Sequence, residues 1–390
     1  MSKGHPKKLL GGFALIVLLS VLPWQVVADP IETTYKKLRI FAHVLSFVQN
    51  NYVDDLDEEG LVHDAIRGLL RSLDPHSVYM TPSEYQKTQE DTSGAYGGLG
   101  IVISQIESKG FIINSVAPDS PAAHAGLTRG DRLLAVDGLS VKEMTLRNLS
   151  SKIRGLPDTP LKLLVLRKGW SKEREVLLIR KRVQMASVTH QLIKRSFGYI
   201  HIRSFQEKTA LEVRTSLKEL KKRTHKKLKG LILDLRDNPG GLFDQGVAVA
   251  DLFLNDGLIV TTESRHERHR EVQYAHAEET EKSLPMIVLI NRHTASSSEI
   301  VAGALKTHKR AQLLGENTYG KGSVQTLIGL EDGSGLKITV ARYKTPDGAT
   351  IPPSGIQPNH VLVAPAPGAA YANLLEDPWI DAALNHLKNK

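Results

Sequence analysis

Cysteine is absent from the 390-residue chain. Without disulfide bonds, even an exported protein must be stabilised by the burial of apolar side chains. Neither H-E-x-x-H nor G-x-S-x-G occurs, and their absence excludes the helix motif of zinc proteases and the nucleophile elbow of α/β-hydrolases. The length allows two or three domains and a large hydrophobic core.

Long apolar runs are also scarce, and the one at the N-terminus, Leu9 to Leu22, follows a basic segment without an acidic residue. That run is shorter than the roughly 20 residues that span a membrane. Val26-Val27-Ala28 fits a small-residue cleavage site. We therefore predict that residues 1–28 are a secretory signal peptide and that the protein is exported to the periplasm or cell envelope. An uncleaved anchor would leave the compartment unchanged and would be the only attachment to a membrane.

The net charge of +9 falls to +6 without residues 1–28, which hold three lysines and no acidic residue. Much of the remaining excess lies in Lys218 to Lys229, a run in which no aromatic residue alternates with the basic ones. A nucleic-acid surface is expected to combine the two. We interpret the run as a solvated helix face and expect no nucleic-acid partner.

Three histidines, His266, His269 and His276, lie in the charged segment from Thr261 to Lys282. No buried strand or helix pattern presents them together. We predict an exposed charged hairpin rather than a metal site, and we expect neither a metal nor any other cofactor.

Two helices are predicted before residue 80. Apolar residues recur at helical spacing from Tyr35 to Tyr52 and again from Leu61 to Leu73. The second helix is followed by Asp74-Pro75-His76-Ser77, in which proline is a stop signal. His76 is interpreted as a turn residue rather than a catalytic one.

The most informative stretch runs from Thr294 to Gln325. It follows an apolar run, Met286 to Ile290, that predicts a buried strand, and apolar residues at helical spacing come after it. A serine at such a strand-to-helix turn is well placed for nucleophilic work, because helix N-terminal amides favour developing negative charge. Lys321 lies 25 residues after Ser296, between two glycines.

This stretch closely resembles the signature of the carboxyl-terminal processing peptidases, or tail-specific proteases. The matching segments are S-S-S-E (296–299), A-G-A-L (302–305) and G-K-G-S-V-Q (320–325). The resemblance implies that Ser296 is the nucleophile, Lys321 the general base and Gln325 the residue that orients the lysine. Two departures stand out: Ser297 replaces the usual alanine, so that three adjacent serines compete, and His293 replaces a more usual glycine.

A second family motif follows the predicted strand Leu231 to Leu235. The segment R-D-N-P-G-G (236–241) resembles the family's R-N-N-P-G-G loop, with Asp237 in place of the more usual asparagine. Glycines there let backbone amides approach a substrate closely. The implied role is an oxyanion hole formed by the amides of Gly240 and Gly241 together with that of Ser297.

The segment from Gly97 to Arg182 resembles a PDZ domain. Its motifs are G-G-L-G-I (97–101), V-A-P-D-S-P-A-A-H-A-G-L (116–127) and G-D-R-L-L-A-V-D-G (130–138). In such domains a peptide adds as a strand to an open sheet edge, and backbone amides capture its terminal carboxylate. Those amides would here belong to Gly98, Leu99, Gly100 and Ile101.

These features predict an α/β multidomain fold. Residues 29–96 would form a helical segment, residues 97–182 an inserted β-rich PDZ domain with two helices, and residues 183–390 a protease core of the crotonase or Clp-like type. Further strands are predicted at Gly198 to Ile202, Ala311 to Leu314 and Gly335 to Lys344, with helices after residue 210 and from Trp379 to Leu387.

The lysine assignment makes a physical demand. Free lysine has a pKa of about 10.4, so a base active near pH 7 requires a shift that only burial supplies. We therefore expect Lys321 in an apolar pocket without a nearby carboxylate, since a negative charge would favour the ammonium form.

Three interpretations follow. The first is an exported serine endopeptidase that recognises C-terminal tails of protein or peptide substrates. The second is a noncatalytic binder on the same fold, and the third is an adaptor in which only the PDZ domain acts. Intact Ser296, Lys321 and Gln325 favour the first, with a regulatory or adaptor protein as a further partner.

Overall fold

The structure is a computed structural model that describes residue 1 and residues 30–106, 110–225, 227–265, 267, 270–278, 280–363 and 374–388. The predicted signal peptide lies outside the described residues, apart from residue 1, and so do His266 and His269. Backbone contacts divide the chain into two units, residues 1–65 and 66–390.

The described part of the first unit is mainly helical. Helix α1 spans Pro30–Asn51, and helix α2 spans Glu58–Arg71 and continues into the second unit. Glu58 and Glu59 lie in the first turn of α2, where negative charge complements the helix dipole. Both predicted helices are confirmed. No helix within the described residues is both long and apolar enough to cross a bilayer.

A short strand and a helix open the remainder of the second unit. Strand β1 is Val78–Met80 and helix α3 is Pro82–Ser93. Helix α3 was not predicted from the sequence, although Thr81 and Glu84 form a capping box and proline occupies the first turn. That local signal was available in the residues T-P-S-E.

The region resembling a PDZ domain has its own sheet and core. Strands β2 (Ala95–Gly98) and β9 (Lys181–Gln184) pair with each other at its two ends. Between them, the strand order is β3-β4-β5-β7-β8, with β6 paired to β5. The elements are β3 (Ile101–Ile106), β4 (Gly110–Val116), α4 (Pro121–His124), β5 (Arg132–Val136), β6 (Leu139–Ser140), α5 (Leu146–Ile153), β7 (Pro160–Leu166) and β8 (Arg174–Ile179).

The α/β core contains, within the described residues, a six-stranded sheet of order β10-β11-β12-β15-β16-β19. All neighbours are parallel except β10 and β11. The strands are β10 (Val188–Ile193), β11 (Phe197–Ile202), β12 (Gly230–Asp234), β15 (Met286–Ile290), β16 (Gln312–Gly315) and β19 (His360–Val361). Strands β12 and β15 are buried along their whole length, which is why they read as unbroken apolar runs.

Helices cover both faces of this sheet. Helices α6 (Thr209–Arg223), α7 (Phe243–Asp251) and α8 (Ser297–Thr307) contribute to one apolar core. Helix α9 (Pro378–Lys388), preceded by a 3-10 turn at Leu374–Glu376, packs into a second core. The predicted helices of the core are therefore confirmed.

A second sheet lies beside the core and carries the loop that contains Lys321, residues 316–322, which we call the lysine loop. Its strands are β1, β13 (Leu258–Ser264), β14 (Glu271–Tyr274), β17 (Ser323–Gly329) and β18 (Gly335–Lys344). Strand β18 pairs with β17, β13 and β1. This pairing brings the segment around residue 78 next to residue 337. Strands β13 and β14 form the predicted charged hairpin.

Candidate active site

Ser296 occupies the turn between β15 and α8, as the sequence predicted. Its backbone angles are φ 56° and ψ −120°, a conformation that costs a non-glycine residue about 1–3 kcal/mol. Two hydrogen bonds hold the turn: the Ala295 amide donates to the Asn238 carbonyl at 3.0 Å, and the Ser296 amide donates to Glu299 Oε2 at 2.8 Å. The strained turn exposes the serine side chain without the G-x-S-x-G motif.

The three adjacent serines differ in their surroundings. Ser297 and Ser298 are buried. Their hydroxyl groups donate to the carbonyl oxygens of Gly241, at 2.9 Å, and Asn238, at 3.1 Å. Ser296 is only half-buried. Two of the three hydroxyls therefore hold the loop of residues 236–241, which we call the glycine loop.

Glu299 joins the serine turn to the lysine loop. Its carboxylate is fully buried and accepts four hydrogen bonds. Oε2 accepts from the amides of Ser296, at 2.8 Å, and Lys321, at 2.9 Å. Oε1 accepts from the Thr318 hydroxyl at 2.6 Å and the Gly320 amide at 2.8 Å. The sequence identified Glu299 only as the last residue of the S-S-S-E segment, because its donors from residues 318–321 lie about twenty residues further along the chain.

Tyr343 adds a second link between the same two segments. Its hydroxyl donates towards the carbonyl oxygen of Ser296, at 3.1 Å, and that of Lys321. Burial, with a contribution from Glu299, raises the pKa of Tyr343 well above its ordinary value, so that the hydroxyl keeps its proton as a donor. The serine turn and the lysine loop are thus fixed together from two sides.

Lys321 has the perturbed pKa that a general base requires. Burial lowers the pKa from 10.5 to about 8, and the nearby charge of Lys337 acts in the same direction. Glu299 and Asp74 oppose this shift. The expected absence of carboxylates is therefore wrong, although Glu299 has its oxygens occupied by four donors. Within the described residues, Lys321 Nζ has no hydrogen-bond or ion-pair partner.

Gln325 makes no hydrogen bond to Lys321 within the described residues, and its predicted role in orienting the lysine stays a prediction. Its Nε2 donates to Ser323 Oγ at 2.8 Å and to Thr339 Oγ1 at 3.3 Å. The register of β17 and β18 places Gln325 opposite Thr339, and this pairing explains the contact. The side chain lies four residues after the lysine, on the strand that leaves the lysine loop.

The glycine loop presents fewer free amides than predicted. The Gly240 amide already donates to Asn238 Oδ1 at 2.9 Å, so that it is not available to an oxyanion. The amides of Gly241 and Ser297 have no acceptor within the described residues. A Cβ atom on Gly241 would lie 2.1 Å from the Phe205 carbonyl oxygen, which requires glycine there. The amides left for the predicted oxyanion hole are those of Gly241 and Ser297, and that role stays a prediction.

Two of the three departures from the family motifs, His293 and Asp237, meet in space. His293 Nδ1 lies 2.8 Å from Asp237 Oδ1, and Asn291 Nδ2 donates to the same oxygen at 2.9 Å. Burial alone would raise the pKa of Asp237, but these contacts hold it below its ordinary value. The pair ties the glycine loop to the segment that precedes Ser296.

The turn around His76 lies closer to the site than the sequence suggested. Burial and the charge of Lys321 lower the pKa of His76, with a further contribution from Lys337, while Asp74 opposes them. The pairing of β1 with β18 brings the turn here. No local signal in the sequence predicts a contact across that distance.

The loop predicted to bind a terminal carboxylate, residues 98–101, lies at an open sheet edge. Strand β3, which begins at Ile101, ends the strand order of its sheet. Gly98 pairs with Lys181 in the β2–β9 ladder, and Leu99 is fully buried. Gly100 has φ 75°, and a Cβ atom there would lie 2.3 Å from Ser120 Cβ. A cleft of about 60 Å³ runs beside β3, lined by Tyr96, Leu99, Ile101, Ile103, Ser150, Ile153 and Arg154.

The charged hairpin presents no metal site in the part that is described. His276 Nδ1 lies 3.3 Å from Asp251 Oδ2, and the histidine side chain is mostly exposed. No group of three or more His, Asp or Glu side chains among the described residues is arranged to hold a metal ion.

Comparison with known proteins identifies the family. Residues 196–362 match the model of peptidase family S41, residues 112–167 that of the PDZ domain, and residues 24–83 that of the activating protease CtpB N-terminal domain. Over 361 residues the chain is 37% identical to the carboxy-terminal-processing protease of Bartonella bacilliformis, covering 92% of this chain and 82% of that protein.

Two further comparisons agree. The carboxy-terminal processing protease CtpA of Bacillus subtilis is 36% identical over 338 residues, covering 86% of this chain and 69% of that protein. A solved structure of a proposed S41 protease from Bacteroides fragilis shares the fold, with a TM-score of 0.51 at 15% identity, over 83% of this chain and 90% of that chain. The chain therefore belongs to the carboxyl-terminal processing peptidases of peptidase family S41, which are serine-type peptidases, and it carries a PDZ domain.

Proposed function

We propose that this peptidase is exported, captures the C-terminal tail of a protein substrate in its PDZ domain and cleaves the chain upstream of that tail. Export is inferred from the N-terminal sequence. Tail capture is supported by the open edge of β3, the adjacent narrow cleft and the glycine at position 100. An added strand supplies affinity through main-chain hydrogen bonds, while the cleft selects side chains.

We infer the following chemistry from the site. Neutral Lys321 Nζ accepts the proton of Ser296 Oγ as that oxygen attacks the scissile carbonyl carbon. The amides of Gly241 and Ser297 donate to the oxyanion that forms. The lysine ammonium then gives its proton to the leaving amine, and the acyl-enzyme remains on Ser296. Water, activated by the same lysine, hydrolyses that ester and regenerates both residues.

One observation carries this proposal: the buried Glu299 carboxylate accepts from the backbone amides of both Ser296 and Lys321. Residues far apart in sequence are thereby held at one place. The lysine placed there has a pKa of about 8, lowered chiefly by burial. A surface lysine with an ordinary pKa could not act as a base near neutral pH.

The test compares the full-length protein with Ser296→Ala and Lys321→Ala in a casein digestion assay. We expect both variants to lose turnover and to remain folded, which their melting temperatures check. Digestion by wild type at the rate of Ser296→Ala would show that the protein is an inactive binder or adaptor. A peptide with a free C-terminus and its amidated twin then test tail capture, and we expect the amidated peptide to have the higher KM.

A further inference from the structure

Asn291 joins the start of the glycine loop to the segment that follows β15. Its side-chain Oδ1 accepts from the Asp237 amide at 3.0 Å, and its Nδ2 donates to Asp237 Oδ1 at 2.9 Å. The Asn291 amide donates to Thr294 Oγ1 at 3.0 Å, and the Thr294 hydroxyl donates to the Leu235 carbonyl oxygen at 2.8 Å. The segments that follow the neighbouring parallel strands β12 and β15 are therefore held together beside the site.

His293 adds a further bond to the same carboxylate. Its Nδ1 lies 2.8 Å from Asp237 Oδ1, and its backbone amide donates to Asn291 Oδ1 at 3.1 Å. Aspartate is ionised near neutral pH, and an ionised carboxylate can only accept hydrogen bonds. The Nδ1 atom of His293 therefore carries the hydrogen and donates it to Asp237.

Asp237 needs such support because its backbone lies in the left-handed region, with φ 57°. Residues with a side chain seldom adopt that conformation, although aspartate and asparagine do so more readily than most. Bonds to both its amide and its carboxylate oppose a return to a commoner conformation. The direction in which the chain leaves β12 is thus set at this residue.

The glycines that follow lie directly against the predicted nucleophile. A Cβ atom on Gly240 would lie 2.7 Å from Ser296 Cβ and 2.8 Å from the Ala295 carbonyl oxygen. The Gly241 amide, which has no acceptor within the described residues, comes four residues after Asp237. Because catalysis is sensitive to displacements of about 1 Å, a change in the path of the loop alters how that amide meets the oxyanion.

We propose that Asp237 and His293 are a pair of positioning residues that hold the Gly241 amide where it donates to the oxyanion. The inference rests on the proposed serine–lysine chemistry and extends it to two residues in which this chain departs from the family motifs. The glycine more usual in the family at position 293 has no side chain with which to form this bond. Neither Asp237 nor His293 contacts the substrate in this role, and both act through the glycine loop.

The expected effect on the rate is modest for two reasons. Both side chains are more than half exposed, and exposed pairs contribute little. Asn238 is also anchored separately, since its Nδ2 donates to the Ile202 carbonyl oxygen at 2.9 Å. We expect His293→Leu to lose about threefold in kcat, and Asp237→Ala, which also loses the bond from Asn291, about fivefold. KM should be unchanged, because the pair does not contact the bound substrate.

The experiment measures kcat and KM for full-length wild type, the two single variants and the double variant. Residues that act through one bond do not lose rate additively, so the double variant should be no slower than Asp237→Ala. His293→Asn places a donor near the position of Nδ1 and should recover most of the rate that His293→Leu loses.

A peptide aldehyde reports on the oxyanion itself. Ser296 Oγ forms a bond to the aldehyde carbon, the hydroxyl proton passes to Lys321, and the carbonyl oxygen becomes an anion at the position of the oxyanion. The inhibition constant of the aldehyde should rise by the same factor as kcat falls in each variant. The inhibition constant of the corresponding peptide alcohol, which has no carbonyl group at that position, should not change.

His276 and Asp251 form a matched control pair at the end of α7, outside the glycine loop. His276 Nδ1 lies 3.3 Å from Asp251 Oδ2, and the His276 amide donates to Asp251 Oδ1 at 2.6 Å. His276→Leu, Asp251→Ala and their double variant should keep the wild-type kcat and inhibition constants. Melting temperatures identify any variant whose activity falls through unfolding.

The outcomes distinguish the two proposals. If Ser296→Ala and Lys321→Ala retain turnover, the serine–lysine chemistry itself is wrong. If those two are inactive but His293→Leu and Asp237→Ala have the wild-type kcat, the positioning role is wrong and the chemistry stands. Additive losses in the double variant, a fall in kcat without a rise in the aldehyde constant, or an equal fall in the control pair would overturn that role as well. Because the His293 side chain is more than half exposed, His293→Leu tests the role even if Asp237→Ala fails to fold.

Discussion

At the scale of single residues, the three serines at positions 296–298 are separated by what their hydroxyl groups already do. Ser297 and Ser298 are buried and donate to carbonyls of the glycine loop, while Ser296 is half-buried in a strained turn. The three residues are chemically identical, and their tertiary contacts distinguish them.

We therefore predict that Ser296→Ala abolishes peptide cleavage, whereas Ser297→Ala and Ser298→Ala retain most of it. Each of the latter two loses one hydrogen bond to the glycine loop, which costs about 1 kcal/mol of stability. Initial rates and melting temperatures of the three variants check this. If Ser297→Ala were as inactive as Ser296→Ala, the assignment of the nucleophile would be open again.

Lys321 sets the expected pH dependence. In the proposed mechanism the neutral form of Lys321 is the base, and burial lowers its pKa to about 8, so that kcat/KM should rise with pH through that value and fall below it. Lys321→Arg should be as inactive as Lys321→Ala, because the guanidinium group remains protonated and cannot accept a proton. A rate profile that rises only above about pH 10, the range of free lysine, would contradict the buried base.

The same lysine should cost the fold some stability. Its pKa is depressed from 10.5 to about 8 in the folded chain. The folded state therefore binds fewer protons than the unfolded state between these values, and stability rises with pH across that window. We predict that Lys321→Met stabilises the protein by about 1–2 kcal/mol below pH 8, a figure reduced for the lysine's partial exposure.

Urea unfolding at pH 7 and at pH 10 measures this difference. The gain in free energy of unfolding should be largest at the lower pH and shrink towards pH 10.5, because the wild-type penalty disappears once both states are neutral. An equal difference at both pH values would show that packing, rather than charge, is responsible.

At the scale of secondary structure elements, a buried charge cluster joins β12 to α9. Arg236 pairs with Asp234 at 2.6 Å and with Asp377 at 2.7 Å. The Tyr199 hydroxyl donates to Asp234 at 2.8 Å, and burial with that carboxylate raises the pKa of Tyr199. Since the glycine loop follows Arg236 directly, the C-terminal helix helps to hold the end of the strand that leads into the site.

Removing one member of this cluster should be costly. Asp377→Ala leaves the Arg236 guanidinium partly unpaired in a buried position, and we predict a loss of about 3 kcal/mol in the free energy of unfolding. Asp381→Ala is the matched control, since Asp381, in the first turn of α9, makes a half-exposed pair with Lys194 at 3.7 Å and accepts from Asn385 Nδ2 at 3.3 Å; its loss should cost under about 1 kcal/mol. Equal losses of unfolding free energy in the two variants would show that the cluster adds no particular stability.

At the scale of the whole molecule, the PDZ domain is inserted between the N-terminal helices and the peptidase core. Its two ends, β2 and β9, pair with Gly97 opposite Arg182, so that the chain leaves the domain beside the point where it enters. A tether alone could be attached at a terminus, and we infer that the insertion also gates the core. A bound tail shifts such an equilibrium only if the competent state binds it more tightly.

Deletion of residues 97–182, closed by a short linker, tests gating against tethering. A repressing domain should give a higher maximal rate when deleted, and an activating one a lower rate. Saturation kinetics on one peptide with a free C-terminus, with its amidated twin as control, measure both parameters. Equal maximal rates for intact and deleted enzyme, with only KM changed, would rule out gating.

The sequence by itself determined the elements and the signature residues. Strands β15 and β18 were predicted with the bounds that the structure has, because an unbroken apolar run and a clean alternation are local properties. The strand-to-helix turn at Ser296 was likewise predicted, from the apolar run before it and the helical spacing of apolar residues after it. Helix α3 was missed although its capping box was present in the sequence.

Only the tertiary structure decided which groups surround the lysine. Glu299 reaches Lys321 from another element, and Thr339 bonds to Ser77 across 262 residues of chain. Such contacts depend on how β1, β17 and β18 pair, and pairing between distant strands leaves no trace in local periodicity. The availability of the Gly241 amide and the loss of the Gly240 amide to Asn238 were decided in the same way, by where hydrogen-bond partners meet once the chain is folded.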